Sequence, residues 1–475
     1  MNLAETLEIP AELMPTVPVL ADGTTEWTYD ELQHAAGHAR TWLEAHGATA
    51  GSVVATLQGF SPRFVALLYG ALALGATLAP LNARAKAPEL AALLDGLTPD
   101  LVIADPRYAP VAAAAGAAAL DANDLGFDGP AERRDAVEPE DGATAILLHT
   151  SGTTGRPKPV RLSHDGLTGM LLRTALPADG TPRGTTVLAV PNHHIAGLSA
   201  LLAGVFSGRR AVLLERFSAE AWLEAVRTSG ADHAFVVPTM LRRILDDPGF
   251  DAAALAGLRT VAYGAAPMPR PTILEALRRF PDGTRFVGSY GQTETGGTIC
   301  VLAPEDHAAA RAGEPDALER LGSLGRPLDG VEVTTLDGEI ATRFDGGDWH
   351  RTGDRGRIDA GGYVFLTGRR DDLIIRAGEN IDPAEVEQAL AEHPAVAEVA
   401  VVGLPDAEWG QVVAAFVVAN GTPPGEAELI AHAKARIASF KAPSRVRYVA
   451  ALPRTDLGKL KRRELLAELT TKEVA

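Results

Sequence analysis

Lys158 closes a short stretch, Thr150-Ser151-Gly152-Thr153-Thr154-Gly155-Arg156-Pro157-Lys158, that gathers hydroxyl side chains and glycines ahead of one ammonium. Glycines let successive N–H groups face a single concavity, hydroxyls add donors and the lysine adds charge, so these residue types suit a phosphate cradle. The order G-x-x-x-x-G-K-[ST] of the common nucleotide loop is absent. Lysine occurs only seven times in the chain against 37 arginines, so its presence here weighs against a chance surface turn. A second group, Ser289-Tyr290-Gly291-Gln292-Thr293-Glu294, offers an aromatic face, a hydroxyl and a carboxylate. Beside a polyphosphate, a carboxylate serves chiefly as a ligand for a hard cation such as Mg²⁺.

Three further groups carry weaker signals. Asp354 follows a glycine turn, Thr352-Gly353, and can accept hydrogen bonds from paired ribose hydroxyls. The cluster Arg369-Arg370-Asp371-Asp372 reads equally as a phosphate or ribose contact and as a solvated linker. Lys459, on the glycine-containing loop Pro453–Lys459, suits charge delivery to a reacting anion, and a solvated loop fits as well. His193 and His194 have no nearby Glu or Cys to complete a zinc set, so they read as pocket wall. No G-x-S-x-G occurs, and Cys300 has no evident histidine partner.

These groups need elements to hold them. Short apolar runs at Val53–Leu57, Leu101–Ala104, Thr186–Val190, Ala211–Leu214, His233–Val237, Thr260–Tyr263 and Arg285–Val287 alternate with helical spans. That alternation predicts an α/β fold with parallel-rich sheets covered by helices. Ligands in such sheets sit beyond the carboxyl ends of strands, where Thr150–Lys158, His193–His194, Gly264–Pro267 and Ser289–Glu294 fall. A helix is expected from Asp30, placed as its cap, to about Ala45; the alanine-rich stretch Ala112–Ala119 also suits a helix. Asp337-Gly338 between Val331–Thr335 and Glu339–Arg343 is a hairpin signal. Beyond the charged stretch at 368–372 a compact pattern of two helices, three strands and a basic tail helix predicts a small mobile α+β domain. The expected domains are therefore 1–368 and 369–475.

Composition bounds the class. A chain of 475 residues is too long for one ordinary core. A net charge of −17 argues against a general nucleic-acid surface and requires a locally positive site for an anionic substrate. The single cysteine excludes an intrachain disulfide and points to a reducing, cytoplasmic setting. The amino terminus lacks a secretory pattern. The uncharged run Phe64–Asn82 contains Gly70, Gly75 and Pro80 and reads as a buried helix and short strand rather than a membrane span.

Taken in order, the groups resemble the adenylate-forming superfamily of acyl-CoA and aryl-CoA synthetases across nearly the whole chain. Its TSGTTGxPK loop is matched at Thr150–Lys158, its aromatic-G-x-T-E motif at Tyr290–Glu294 and its TGD at Thr352–Asp354. The G-R-x-[KD]-D hinge is matched at Gly368–Asp372, G-x-N-I-x-P-x-E-V-E at Gly378–Glu387, and P-x-T-x-x-G-K at Pro453–Lys459. The resemblance implies attack of a carboxylate on the α-phosphate of Mg·ATP, then capture of the acyl adenylate by a thiol, usually coenzyme A. It assigns Thr150, Ser151, Gly152, Thr153, Thr154, Gly155 and Lys158 to the β- and γ-phosphates, Thr293 to phosphate and Glu294 to Mg²⁺. Gly264, Ala265, Ala266, Pro267 and Tyr290 would surround adenine, Asp354 the ribose with Arg369 nearby. Lys459 would bridge α-phosphate and carboxylate, Asp371 would be the hinge, and Ile375–Asn380 would line the path of the thiol.

The resemblance also constrains the acid. Its pocket would involve His194, Gly197, Tyr263, Ser289, Gly291 and Gly296, with Gly297 beyond. Pro191–Leu198 lacks the aspartate of amino-acid-activating relatives, and Ser289 stands where malonate-type enzymes have arginine. An aliphatic or aromatic monocarboxylate is therefore expected, with a monomer or homodimer as the assembly. Alternatives are transfer to an acyl carrier protein or amine, activation of nitrite in a diazotase-type reaction, and an inactive nucleotide-binding protein. Two departures from the pattern are His149, where an aromatic residue is usual, and Pro159, where glycine is usual.

Overall fold

The computed structural model describes residues 1–127, 134–150, 158–369, 372–377, 379–406, 408–455 and 458–470. It resolves into two compact units, Met1–Leu321 and Gly322–Ala475. The first unit carries two parallel-rich sheets. In one, the strands run Gly297–Leu302, Arg285–Gln292, Thr260–Tyr263, His233–Val236, Thr185–Leu188, Arg210–Leu213, Pro18–Ala21, Glu26–Thr28. The pairs from Arg285–Gln292 through Pro18–Ala21 are parallel, and an antiparallel neighbour lies at each side. The other sheet runs Leu120–Asp121, Leu101–Ala104, Val53–Leu57, Thr77–Pro80, Thr144–Thr150, Lys158–Ser163, with only the last pair antiparallel.

Local chemistry explains the helices that cover these sheets. Ser61 caps Pro62–Leu74 by accepting from the Phe64 N–H, and Gly75 ends it in the left-handed region. Nearly every residue of this helix is buried, which accounts for its apolar run. At 13 residues it spans about 20 Å, short of a bilayer's hydrocarbon core. Among the described residues no helix is long and apolar enough to cross a membrane.

Two expectations shift. The helix Tyr29–Ala45 is capped by Thr28 rather than Asp30, because Thr28 and Glu31 form a reciprocal capping box and leave Asp30 in the first turn. The alanine-rich stretch is helical only over Ala109–Ala114, since Gly116 adopts a left-handed conformation that stops propagation.

The second unit contains an antiparallel meander, Val331–Leu336, Glu339–Phe344, His350–Ile358 and Val364–Arg369, with Asp337 and Gly338 both at positive φ in its first turn. Beyond it, Val396–Asp406, Gly410–Ala419 and Arg445–Tyr448 form a sheet packed with the helices Pro383–Ala391 and Glu426–Lys434. The opposite face receives the helix Arg462–Thr470 through Leu465. The charged stretch at 368–372 lies inside this unit.

Candidate functional site

Thr150 ends one strand and Lys158 begins the next, and the two occupy one antiparallel rung. The hydroxyl and the ammonium residue that bracket the expected cradle thus belong to opposite strands of one hairpin. Ser151, Gly152, Thr153, Thr154 and Gly155 lie outside the described residues. The adjacent rung pairs His149 with Pro159, so the two departures from the family pattern face each other. Burial lowers the His149 pKa, and among the described residues its Nδ1 has no hydrogen-bond partner.

Across the unit, Thr293-Glu294-Thr295 form a single 3₁₀ turn between the strands Arg285–Gln292 and Gly297–Leu302. The Thr150 hydroxyl donates to Glu294 Oε1 at 3.4 Å, although the two residues are 144 positions apart. A solvent-exposed carboxylate and a hydroxyl in contact are hard oxygen ligands, so this pair fits a Mg²⁺ carried with a triphosphate. A Cβ on Gly291 would lie 1.9 Å from the Gly297 carbonyl oxygen, so only glycine permits the two strands to cross there. Gly296 leaves the turn in the left-handed region.

The expected adenine turn follows the strand Thr260–Tyr263. Ser289 Oγ donates to the Tyr263 carbonyl oxygen at 3.1 Å, which fixes the distance between this strand end and the Ser289–Gln292 segment. Ala265 has φ +66°, a conformation that costs a non-glycine residue about 1–2 kcal/mol and so marks a held turn ahead of Ala266 and Pro267. The Tyr263 hydroxyl lies 2.8 Å from His307 Nε2. His307 Nδ1 is 2.8 Å from the Ala303 carbonyl oxygen, which requires a proton there and leaves Nε2 to accept from the tyrosine. Tyr290 pairs across the ladder with Cys300. That thiol is fully buried, and burial raises its pKa to about 12.

His193 and His194 precede the helix Ile195–Ser207, their rings 4.2 Å apart. Asn192 Nδ2 donates to the Gln58 carbonyl oxygen at 3.1 Å, tying this segment to the carboxyl end of Val53–Leu57 in the other sheet. Burial, helped by the charge of Arg84, lowers the His193 pKa to about 4, so the ring is neutral at neutral pH. A Cβ on Gly197 would lie 2.6 Å from the Pro191 carbonyl oxygen, and that close approach explains the glycine.

In the second unit Asp354 and Arg369 pair across the meander, Arg369 Nε 2.9 Å from Asp354 Oδ1. Asp354 is buried while Arg369 is exposed. Lys459 sits on a loop closed by its own backbone: the Thr455 N–H donates to the Lys459 carbonyl oxygen at 2.8 Å, and the Lys459 N–H to Thr455 Oγ1 at 3.1 Å. Just beyond, Arg462 binds Asp372 Oδ2 at 3.1 Å, the Val401 carbonyl oxygen at 2.9 Å and both Glu387 oxygens. Asp371, expected as the hinge, lies outside the described residues.

Sequence reasoning brought Thr150 near Glu294 and Asp354 near Arg369. It missed Thr295, His307 and Arg462. The repeated threonine in Thr293-Glu294-Thr295 was a signal that could have been read; the His307 and Arg462 contacts are long-range and leave none.

Residues 7–347 match the family described as AMP-binding enzyme, and residues 385–459 match the AMP-binding enzyme C-terminal domain. The chain is 32% identical to a fatty acid–[acyl-carrier-protein] ligase, ScoC, of Streptomyces coeruleorubidus, covering 98% of this chain and 96% of that one. It is 32% identical to an indoleacetate–CoA ligase of Aromatoleum aromaticum over the full length of both. Its fold is similar to that of the o-succinylbenzoate coenzyme A synthetase of Bacillus subtilis, solved with ATP and magnesium ion. There the TM-score is 0.81 at 30% identity, covering 97% of this chain and 98% of the other.

Proposed function

The chain belongs to the AMP-binding enzyme family, and from that premise we infer that it is an ATP-dependent, AMP-forming acid–thiol ligase. In the first half-reaction a carboxylate oxygen attacks the α-phosphorus of ATP, the bond to the β-phosphate breaks, and pyrophosphate leaves. In the second, the sulfur of coenzyme A attacks the carbonyl carbon of the acyl adenylate and AMP leaves. The observation that carries this reading is the contact between Thr150 and Glu294, which joins the flank of the phosphate loop to the carboxylate turn. Bound with the triphosphate, Mg²⁺ would neutralise phosphate charge, and Glu294 with Thr150 would hold it.

The individual roles are proposals of the same reading. Thr150, Lys158 and the glycine-rich residues between them bind the β- and γ-phosphates, with Thr293 on phosphate. Gly264–Pro267 and Tyr290 enclose adenine, and the buried Asp354 accepts from the ribose hydroxyls beside Arg369. Lys459 meets the charge that develops on the α-phosphoryl oxygens, where a fixed cation stabilises the transition state more than the ground state. The segment from residue 369 onward, with Asp371 as hinge, is proposed as the mobile part of the enzyme. For the acid, Ser289 spends its hydroxyl on the Tyr263 carbonyl and offers no cation to a second carboxylate, which favours an aliphatic or aromatic monocarboxylate.

A panel of aliphatic and aromatic acids, assayed together for acid-dependent ATP–pyrophosphate exchange and for thioester formation with free coenzyme A, tests this. Exchange and thioester with the same monocarboxylates are expected. Absence of exchange with every acid would overturn the assignment. Exchange with transfer only to a phosphopantetheinyl carrier protein would instead place the chain's acceptor with that named for the Streptomyces relative.

A further inference from the structure

We propose that Thr295 is a positioning residue for Glu294, its hydroxyl locking the turn that presents the carboxylate to Thr150. This rests on the reading of Glu294 as the metal-bearing carboxylate. The turn Thr293–Thr295 is a single 3₁₀ turn, too short to hold its own orientation by a ladder of backbone hydrogen bonds. Thr295 Oγ1 does so instead. It accepts from the Gln292 N–H at 3.1 Å and lies 2.9 Å from the Gln292 carbonyl oxygen and 3.1 Å from the Gly297 carbonyl oxygen. Its one proton therefore goes to a carbonyl on one side of Glu294 or the other, and the same oxygen receives the N–H at the turn's entry.

The surroundings make this clasp matter. The ladder between the flanking strands shifts register between Tyr290 and Gly291, and only two rungs, Gly291 with Thr298 and Gln292 with Gly297, lie between that irregularity and the turn. Gly291 and Gly297 cross too closely for the base of the turn to widen, and among the described residues a Cβ on Gly296 would meet nothing within 4 Å. The bond from Thr150 to Glu294 is already long at 3.4 Å. A small tilt of the turn separates those two oxygens, since hydrogen bonds weaken steeply beyond this length.

The test is titration calorimetry on the full chain with Mg·ATP and, in EDTA, with metal-free ATP, for the unaltered protein, Thr295→Val, Thr295→Ala, Thr295→Ser and Glu294→Gln. Thr295→Val keeps the shape and loses the hydroxyl. Its Kd for Mg·ATP is expected to rise about tenfold, the scale set by losing a part-buried hydrogen bond, with the metal-free Kd unchanged. Thr295→Ala should follow Thr295→Val, and Thr295→Ser should recover most of the loss. A merely structural role would weaken both nucleotide forms alike and lower the melting temperature, without rescue by serine; either that pattern or unaltered Mg·ATP binding by Thr295→Val overturns the proposal. If the unaltered protein and Glu294→Gln bind Mg·ATP equally, the reading of Glu294 itself falls.

Discussion

Glu294 is exposed and, among the described residues, accepts one long hydrogen bond from Thr150, so it costs the fold little to hold. Glu294→Gln should therefore leave the melting temperature unchanged while lowering acid-dependent pyrophosphate exchange by about 10²-fold, the usual loss of one preorganised charge contact. Unaltered exchange at saturating Mg·ATP would remove the carboxylate from the site. Residue types drew attention to Thr150 and Glu294, whereas Asp354 was a weak signal that gained a role only from the family resemblance. The partners that hold those residues were not legible. The Tyr263–His307 bond joins positions that share no motif, and Thr295 reads in the sequence as one more small polar residue.

At the scale of the element, the hairpin that presents Glu294 is set by backbone clearance. Gly291→Ala would drive a methyl group into the Gly297 carbonyl, backbone against backbone, so the strands themselves must shift. A loss of about 1–3 kcal/mol in urea denaturation is expected from such overpacking, together with loss of exchange activity. The antiparallel strands Thr144–Thr150 and Lys158–Ser163 show the reverse tolerance. Pro159 lacks an N–H, yet Lys158–Ser163 is the last strand in its sheet, where a missing donor is harmless. That strand escaped the sequence reading because its proline masked a β pattern, whereas the parallel strands were legible from their apolar runs. A third element carries a pH dependence. The Leu3 N–H donates to His164 Nδ1 at 3.0 Å, joining the amino terminus to the start of the helix His164–Thr174. That bond requires a neutral ring, and burial lowers the His164 pKa from 6.5 to about 4. The unfolded chain therefore takes up the proton first as pH falls below about 6.5. Stability is full above that value and declines toward pH 4, by at most about 1.4 kcal/mol per pH unit for one proton. His164→Asn keeps an acceptor and removes the titration, so denaturant midpoints between pH 7 and 5 should vary less in the variant. His193, lowered to about 4 as well, would account for a remaining slope.

For the whole molecule, the chemistry is divided: residues proposed for the triphosphate belong to the first unit, and Asp354, Arg369 and Lys459 to the second. Lys459→Ala should abolish acid-dependent exchange yet largely spare conversion of a supplied acyl adenylate to the thioester. Equal loss of both half-reactions would overturn the assignment of this lysine to the first step alone. Two-part organisation was legible from the chain's length and from the compact pattern near its end. The compact units divide at 321 and 322, ahead of the meander Val331–Arg369, while the expected boundary at 368 and 369 follows that meander. Cys300 has a consequence at this scale. It is the protein's one thiol and stands on the rung opposite Tyr290, the residue proposed against adenine, yet it is sealed from solvent and strongly disfavours the thiolate. The protein therefore keeps no nucleophilic sulfur of its own to intercept the activated acyl group or to exchange with the thioester product. The same seal makes maleimide capture of Cys300 a direct clock for opening of the sheet.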